Sequence, residues 1–577
     1  MKRKEKVFEI IFLLVACISI VAVAMICIFL FANGIPAMGK IGLGKFLGGQ
    51  VWKPGNDKYG IFPMIIGSLY ITGGAIVVGV PIGIFTAVFL AKYCPEGLYK
   101  IMKPATELLA GIPSVVYGFF GLMVIVPAVR MIFGMDNTDG MSILTASFLL
   151  GIMILPTIIG VTETSIRSVN NAYFEGALAL GATKEASIFR CVIPAAKSGI
   201  LAGVVLGIGR AIGETMAVVM IAGNQPRMPQ GILQGVRTLT TNVVLEMGYA
   251  TGLHREALIA TGVVLFVFIL IINLAFSIMK GKRREGVMKK TKKKIYAGSL
   301  ILKILVILAA VFTLVMLGYL IVYILAKGIP HLTPSLFSIH YDSDNVSMLP
   351  SIINTLIMIG VALLIAVPVG VFSAVYLTEY AKKGNKLVKV IRTTAETLTG
   401  IPSIVYGLFG MLFFVTACHM SYSLMAGILT VAIMVLPTVL RTTEEALLAV
   451  PDSFREGSFG LGAGKLRTVF RIVLPSAIPG ILSGVILSTG RIAGETAALI
   501  YTAGTMATLP KNLLSSGRTL AVHMYVLSQE GLHTDQAFAT AVILLVMVLL
   551  INILSSVIAK KNAERLKGYD RHCKKIF

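Results

Sequence analysis

The sequence has few cysteines and few acidic residues, and it lacks the motifs that mark common catalytic sites. Its six cysteines are scattered, without a CxxC pair or metal-ligand spacing, so we expect neither a disulfide framework nor a cysteine metal site. No GxxxxGK[ST] loop is present, because every Gly-Lys pair is followed by Ile, Phe, Arg or Leu. No nucleophile–base or metal constellation is visible. We therefore expect that the chain is not an enzyme and holds no cofactor of its own.

Apolar residues dominate the composition. Of the 577 residues 56% are hydrophobic and only 14% are charged, and the mean hydropathy is +0.87, which is typical of an integral membrane protein. With the N-terminus inside, most Lys and Arg residues fall in the predicted cytosolic segments, as in other multi-pass membrane proteins. The net charge of +24 is therefore a topology signal and no sign of a nucleic-acid partner. We expect a multi-pass protein of the plasma (inner) membrane, with both termini cytoplasmic and membrane lipid around it.

The apolar segments predict about twelve transmembrane helices and an all-α fold. Because the N-terminal apolar run is too long for a signal peptide, we expect it to be retained as the first span. The predicted spans lie near residues 8–33, 64–91, 106–129, 141–165, 199–223, 256–279, 298–326, 350–378, 395–417, 421–443, 480–504 and 536–559.

The chain repeats itself. Residues 107–121 (ELLAGIPSVVYGFFG) match residues 396–410 (ETLTGIPSIVYGLFG), and residues 203–217 match residues 484–498. The sequence therefore divides into halves of about 1–284 and 285–577, joined by a basic linker near 280–296. Each half has six predicted spans, an even number, so the repeats run parallel through the membrane.

A charged pair lies inside the predicted fifth span of each half. Arg210 falls near the middle of the run 199–223, where an ionised side chain costs about 2.5–3.5 kcal/mol. Glu214 follows four residues later, so on a continuous helix the two side chains share one face. Arg491 and Glu495 repeat the arrangement. Two guanidinium forks brought together across a pseudo-twofold axis would suit a tetrahedral anion.

Two roles remain open for Glu214 and Glu495. They could neutralise the arginines when no substrate is bound, or accept a hydrogen bond from protonated phosphate and so repel sulfate. A purely structural Arg–Glu clasp is a further alternative.

Other polar residues are weaker candidates for the same pathway. Thr215 and Thr496 either bind a substrate oxygen or bond back to a helix carbonyl. Tyr117 and Tyr406 line the pathway or lie in a packed interface. The Gly-Ile-Pro-Ser segments 111–114 and 400–403 face the bundle interior or form simple kinks.

A third motif lies between the predicted fourth and fifth spans, in loops at about 166–198 and 444–479. Each copy has an acidic residue, two small residues and a glycine, followed at the same distance by a proline. This pattern predicts a short helix, a glycine turn, a second short helix and a proline that opens the next span. The candidate docking residues are Glu175, Gly176, Ala177, Gly181, Glu456, Gly457, Ser458 and Gly462.

These loops resemble the EAA motif of ABC-importer permeases, although Gly-Ala and Gly-Ser stand here where Ala-Ala is usual. The GRxxGET and GIPSxVYG segments resemble the phosphate-uptake (Pst) branch, with a PstC-like first half and a PstA-like second half. The resemblance implies the type I ABC-importer permease fold and a fusion of two usually separate chains, so no homodimer is expected. It also implies two partners. One is an ATP-binding cassette ATPase, a dimer that binds ATP and Mg itself and docks at the cytosolic coupling loops, and the other is an extracytoplasmic phosphate-binding protein.

The sequence leaves two alternative functions open. The chain could be a permease for another oxyanion, such as sulfate, molybdate or phosphonate, because paired arginines would serve those substrates too. It could also be an ion-coupled secondary transporter, although two docking loops and parallel repeats argue against that class.

Overall fold

The computed structural model describes residues 2–281, 296–381, 388, 390–392 and 400–576. This part of the chain is almost entirely helical, and its one sheet is a small hairpin of β1 (Trp52–Lys53) and β2 (Lys58–Tyr59). The predicted all-α membrane fold is confirmed. The predicted linker near 280–296 lies almost wholly outside the described residues.

The helices of the first repeat follow the predicted order. They are α1 (Lys2–Ile41), α2 (Leu43–Gly48), α3 (Phe62–Val88), α4 (Glu96–Gly111), α5 (Ser114–Phe120), α6 (Val126–Phe133), α7 (Ile143–Arg167), α8 (Asn171–Ala179), α9 (Lys184–Ser187), α10 (Ile193–Ala195), α11 (Lys197–Gly213), α12 (Met216–Ile221), α13 (Leu239–Glu246) and α14 (Gly252–Gly281).

The main helices of the second repeat follow the same order in its described part, where the β1–β2 hairpin and the separate helices α2, α6 and α10 have no counterparts. Its helices are α15 (Tyr296–Gly328), α16 (Leu349–Val375), α17 (Ser403–Gly410), α18 (Leu424–Leu448), α19 (Asp452–Gly460), α20 (Lys465–Thr468), α21 (Leu474–Ala493), α22 (Ala497–Ile500), α23 (Leu520–Glu530) and α24 (Thr534–Ile576).

Ten of the described helical segments are long and apolar enough to span a membrane. The other two predicted spans correspond to shorter helices. In the second repeat the third span is the apolar segment Ser403–Ala417, and in the first repeat the fifth span is α11 followed by the separate helix α12. The predicted uninterrupted helix over 199–223 is therefore wrong.

The described chain forms two compact units that do not coincide with the sequence repeats. One unit comprises Gly34–Lys327, and the other comprises Met1–Asn33 with Gly328–Phe577. Each unit thus contains the first span of the opposite repeat. The division near residue 284 concerns the repeats in the sequence, and it stays a prediction.

Side-chain contacts hold each first span inside its unit. In the unit that contains the N-terminus, the rings of Phe12 and Phe372 are 5.5 Å apart, and the Ser373 hydroxyl donates to the Val15 carbonyl over 3.2 Å. In the other unit the hydroxyls of Thr313 and Thr86 are 3.0 Å apart. Polar contacts inside an apolar bundle fix the rotation of a span, because a shifted hydroxyl would lose its partner.

A glycine marks the end of each first span. A Cβ on Gly34 would lie 3.1 Å from Cα of Ala260 in α14, and a Cβ on Gly328 would lie 2.5 Å from the Phe538 carbonyl oxygen in α24. Only glycine permits such close backbone approaches. At these glycines the chain therefore packs against the last span of its own repeat.

Candidate functional site

The helix that carries each central arginine ends just after it. Helix α11 ends at Gly213, Glu214 has extended backbone angles (φ −69°, ψ 132°), and α12 begins at Met216. In the second repeat α21 ends at Ala493 and α22 begins at Ala497. The prediction that Arg and Glu share one face of a continuous helix is therefore wrong in both repeats.

The glutamates cap the helix that follows the break. Oε1 of Glu214 accepts a hydrogen bond from the Ala217 amide at 3.2 Å, and Oε1 of Glu495 accepts one from the Ala498 amide at 3.0 Å. Each carboxylate thereby satisfies an amide that the interruption leaves without a helical carbonyl. The sequence suggested roles toward arginine or phosphate, and it did not reveal this third one.

The neighbouring polar groups complete the break. The hydroxyl of Thr215 donates to the Gly213 carbonyl at 3.2 Å, and that of Thr496 donates to the Gly494 carbonyl at 3.4 Å. In the first repeat Thr240 donates to the Glu214 carbonyl at 3.0 Å. Because backbone groups need partners inside a membrane, these bonds make the interruption tolerable.

Arg210 and Arg491 are half-buried. The Arg210 guanidinium makes one long contact, 3.4 Å, with the Thr157 hydroxyl, and the Arg491 guanidinium makes no hydrogen bond with any residue the structure describes. Within the described chain neither arginine has a carboxylate within 4 Å, so the expected direct Arg–Glu pairs do not form. Both forks of donors therefore remain largely uncommitted.

The third span is also interrupted in the first repeat. Helix α4 ends at Gly111 and α5 begins at Ser114, after the Ile-Pro step. Tyr117 is fully buried, and its hydroxyl donates to the Leu109 carbonyl at 2.9 Å, which ties the two helices together. Tyr406 is equally buried at the start of α17. A role for these tyrosines in the pathway stays a prediction.

A glycine brings the third and fifth spans together in each repeat. A Cβ on Gly118 would lie 2.9 Å from Cα of Ala217, and a Cβ on Gly407 would lie 2.9 Å from Cα of Ala498. The helix after the Gly-Ile-Pro-Ser segment therefore packs directly against the capped helix, beside the amide that each glutamate holds. The repeated glycine of the Val-Tyr-Gly triplet is the sequence signal for this contact.

The loops between the fourth and fifth spans have the predicted helix–turn–helix form. The first short helix is α8 or α19, and the turn after it contains Gly181 (φ +82°) or Gly462 (φ +80°). These left-handed angles explain the glycines. We call α8 and α19 the coupling helices.

The proline after the turn behaves differently in the two repeats. In the second, Pro475 lies in the first turn of α21, as predicted. In the first, Pro194 lies in the separate helix α10, and the segment Lys184–Ala195 meets α11 at 74°. The expectation that proline opens the next span therefore fails for the first repeat.

The coupling helices expose most of the predicted docking residues. Leu180 and Leu461, at equivalent places after these helices, are 90% and 91% exposed. Ser458 is the exception: it is buried, and its hydroxyl lies 2.8 Å from that of Thr468. The exposed candidates are Glu175, Gly176, Gly181, Glu456, Gly457 and Gly462, with Ala177 half-buried.

Sequence reasoning missed a polar cluster in the first repeat, around the end of helix α13. Glu246 is buried and accepts hydrogen bonds from Arg237 and, at 2.8 Å, from the Trp52 indole, and it lies 2.8 Å from Nε2 of His254. Asn242 adds a contact of 3.1 Å to Arg237. The only tryptophan of the chain was the available signal.

Comparison with known families decides the class. The family model "Binding-protein-dependent transport system inner membrane component" matches residues 79–285 and again residues 366–568. The chain belongs to this family. The two matches cover well over half of the chain, one in each repeat, and they confirm the predicted membrane permease class.

Several relatives carry names from phosphate systems. A "Phosphate transport system permease protein PstA homolog" of Mycoplasma pneumoniae is 28% identical over 89% of this chain and 88% of its own length. The PstC phosphate permease protein of Mesorhizobium japonicum is 33% identical over 47% of this chain and 89% of its own length. The probable ABC transporter permease protein YqgH of Bacillus subtilis is 37% identical over 45% and 86%. A chain from the inward-facing MetNI methionine ABC transporter aligns with 37% of this chain and 94% of its own length, at 22% identity and a TM-score of 0.30.

Proposed function

We propose that this chain is the complete transmembrane permease of a binding-protein-dependent ABC importer that moves inorganic phosphate into the cytoplasm. The observation that carries the proposal is the repeated arrangement of a half-buried arginine beside a glutamate-capped helix break. The names of the relatives support phosphate as the substrate. A relative matched along nearly its whole length by less than half of this chain supports a fusion of two permease halves.

The arginines would bind the substrate. A guanidinium stays charged when buried and presents a planar fork of donors to two oxygens of an oxyanion. The uncommitted donors of Arg210 and Arg491 could replace the water that phosphate loses on entering the membrane. In this proposal both arginines line one pathway, together with Thr215, Thr496, Tyr117 and Tyr406, while Glu214 and Glu495 hold the helix breaks open.

The coupling helices would transmit the energy. Their exposed, apolar ends suit a groove on a soluble partner, and the chain has no phosphate-binding loop for ATP. We therefore assign ATP hydrolysis to an ATPase dimer at α8 and α19, and substrate delivery to an extracytoplasmic binding protein. In this proposal the chain lies in the plasma or inner membrane, and both termini are in the cytoplasm.

The test is uptake of labelled phosphate by the assembled complex in excess sulfate, for the wild type, Arg210→Gln and Arg491→Gln. Loss of one charge-assisted fork weakens binding of the ion in transit by about 1.5–3 kcal/mol, so each variant should lose at least about tenfold in uptake. Arg130→Gln, an exposed arginine at the end of α6, is the matched control and should transport normally.

Three results would contradict the proposal in different ways. Normal uptake in both variants would make the arginines structural. Strong competition by sulfate would move the substrate to another oxyanion. Uptake by the reconstituted chain without ATPase and ATP would indicate a secondary transporter.

A further inference from the structure

The second repeat contains a buried arginine at the place where the first repeat has a complete ion pair. Arg237 and Arg518 occupy equivalent positions, one residue before the threonine that precedes α13 or α23. In the first repeat Glu246, nine residues after the arginine, supplies the carboxylate. In the second repeat the equivalent residue is Leu527, which is fully buried. Both repeats therefore have the arginine, but only the first has a carboxylate nine residues later.

Arg518 is more deeply buried than most arginines. Its exposed fraction is 4%, and neither Nε nor Nη2 has a hydrogen-bonding partner among the residues the structure describes. No carboxylate of the described chain lies within 4 Å of it. A buried cation without a counter-charge is costly, because the lost hydration is not replaced.

Tyr341 and His523 lie on one side of this arginine. The Tyr341 ring lies 4.7 Å from the Arg518 guanidinium carbon, and the His523 ring stands edge-on to Tyr341 at 6.3 Å. His523 is fully buried, and neither ring nitrogen has a partner in the described chain. Burial and the nearby Arg518 charge lower the pKa of His523 well below its ordinary value, so the ring is neutral.

The beginning of α16 closes the same cluster. Nδ2 of Asn354 donates to the Arg518 carbonyl at 3.2 Å, which leaves Oδ1 as a buried acceptor without a partner. The hydroxyls of Thr519 and of Ser351, one turn before Asn354, are also buried and unpaired within the described residues. We call these five residues the Arg518 cluster: Arg518, Thr519, His523, Ser351 and Asn354.

The first repeat contains far fewer such groups at its equivalent place. There Thr238, the counterpart of Thr519, forms a capping box with Thr241, and Asn242, the counterpart of His523, bonds to Arg237. Gly67 stands where the second repeat has Asn354. Where the first repeat has a carboxylate, the second repeat therefore has several hydrogen-bond donors and acceptors without partners among the described residues.

We propose that the Arg518 cluster binds inorganic phosphate at a site separate from Arg210 and Arg491. The guanidinium, the hydroxyls and one imidazole nitrogen can donate to phosphate oxygens, and the charge of the anion replaces the carboxylate that Glu246 supplies in the first repeat. Asn354 Oδ1 and the other imidazole nitrogen accept, and dihydrogen phosphate offers a proton to each. Sulfate has no proton to offer these acceptors, so the cluster should prefer phosphate.

Leu527→Glu tests this inference because it restores the carboxylate of the first repeat at its equivalent position. The thermal unfolding of the purified full-length chain is measured against inorganic phosphate, with sulfate at the same ionic strength, in wild type, Leu527→Glu and the double variant Arg210→Gln/Arg491→Gln. Phosphate should raise the Tm of the wild type and of the double variant more than sulfate does. In Leu527→Glu the part of the phosphate-dependent rise that the Arg518 cluster supplies should disappear. Leu532→Glu, which adds the same charge at an exposed position, should respond like the wild type.

Arg518→Gln covers the case in which Leu527→Glu does not fold. Loss of the charge-assisted bonds should weaken the apparent phosphate affinity by about tenfold or more. A phosphate effect that persists unchanged in Leu527→Glu or Arg518→Gln, or that is absent from the wild type, overturns the proposal. An effect that disappears only in the Arg210→Gln/Arg491→Gln variant also overturns it and assigns the binding to the transport pathway. The inference does not depend on the outcome of the uptake experiment.

Discussion

The two coupling helices lie at equivalent places but are held by different chemistry. In the first repeat the Lys92 ammonium lies 5.3 Å from the Phe174 ring centre and 3.4 Å from the Asn171 side chain. In the second repeat the equivalent residues are Glu379 and Arg455, which form a partly buried ion pair at 2.8 Å. Arg455 also donates to the carbonyls of Val450 and Leu447. The position of a coupling helix is therefore shared by the repeats, while the contacts that hold it are not.

The helix breaks show the opposite behaviour. Glu214 and Glu495 make the same cap, and Gly118 and Gly407 make the same close approach, at nearly equal distances. A packing contact can be replaced by another of similar strength. A break that must present an arginine inside a membrane has fewer solutions, because each freed backbone group needs a partner there. Contacts that are the same in both repeats therefore indicate the candidate pathway better than the burial of its residues does.

The largest effect is expected at the ion pair that only the first repeat has. Glu246→Ala removes the shared acceptor of Arg237, Trp52 and His254 and leaves the partly buried Arg237 without its carboxylate partner. Such a loss costs about 3–5 kcal/mol, so thermal unfolding of the purified chain should occur at a much lower temperature. Glu256→Ala removes an exposed pair with Lys40 in the same unit and should cost about 0–1 kcal/mol. Equal shifts in the two variants would show that the Glu246 cluster contributes little to stability.

A smaller difference is expected between the coupling helices. Arg455→Ala removes charge-assisted hydrogen bonds worth about 1.5–3 kcal/mol, whereas Lys92→Ala removes a cation–π contact worth about 0.5–1 kcal/mol. Hydrogen exchange should therefore accelerate more in the amides of Asp452–Gly460 than in those of Asn171–Ala179. Asp452→Ala, which removes only the exposed partner of Arg455, is the control and should change little. Equal acceleration in the two helices would mean that their own packing, rather than these contacts, holds them.

Much of this architecture could be predicted from the sequence. Long apolar runs locate spans because a bilayer demands about twenty apolar residues per helix. The glycine turns at Gly181 and Gly462 could be predicted because only glycine adopts their backbone angles without strain. Repetition made both predictions stronger, since an accidental pattern is not expected twice at the same spacing.

The remaining features depend on contacts that hydropathy does not encode. The first span of each repeat is apolar on all sides, so its composition does not reveal which unit it joins. The apolar run through Glu214 is uninterrupted in hydropathy, so the helix break depends on hydrogen bonds from Thr215, Thr240 and the Ala217 amide. The missing carboxylate partner of Arg518 could be recognised only after Leu527 was placed at the position of Glu246.

The smallest effect, expected to be equal in the two repeats, concerns the caps. Glu214→Ala and Glu495→Ala each remove an N-terminal cap and should destabilise the chain by about 1 kcal/mol. Glu214→Gln and Glu495→Gln keep an acceptor oxygen for the Ala217 and Ala498 amides, so their thermal stability should stay close to that of the wild type. The measurement is thermal unfolding of all four variants beside phosphate uptake. If Gln destabilises as strongly as Ala, the negative charge matters more than the cap, and neutralisation of Arg210 and Arg491 becomes the better account. If only uptake falls in the Gln variants, the carboxylate acts on the substrate or on the arginines during transport, while the helix break itself depends only on the hydrogen bond.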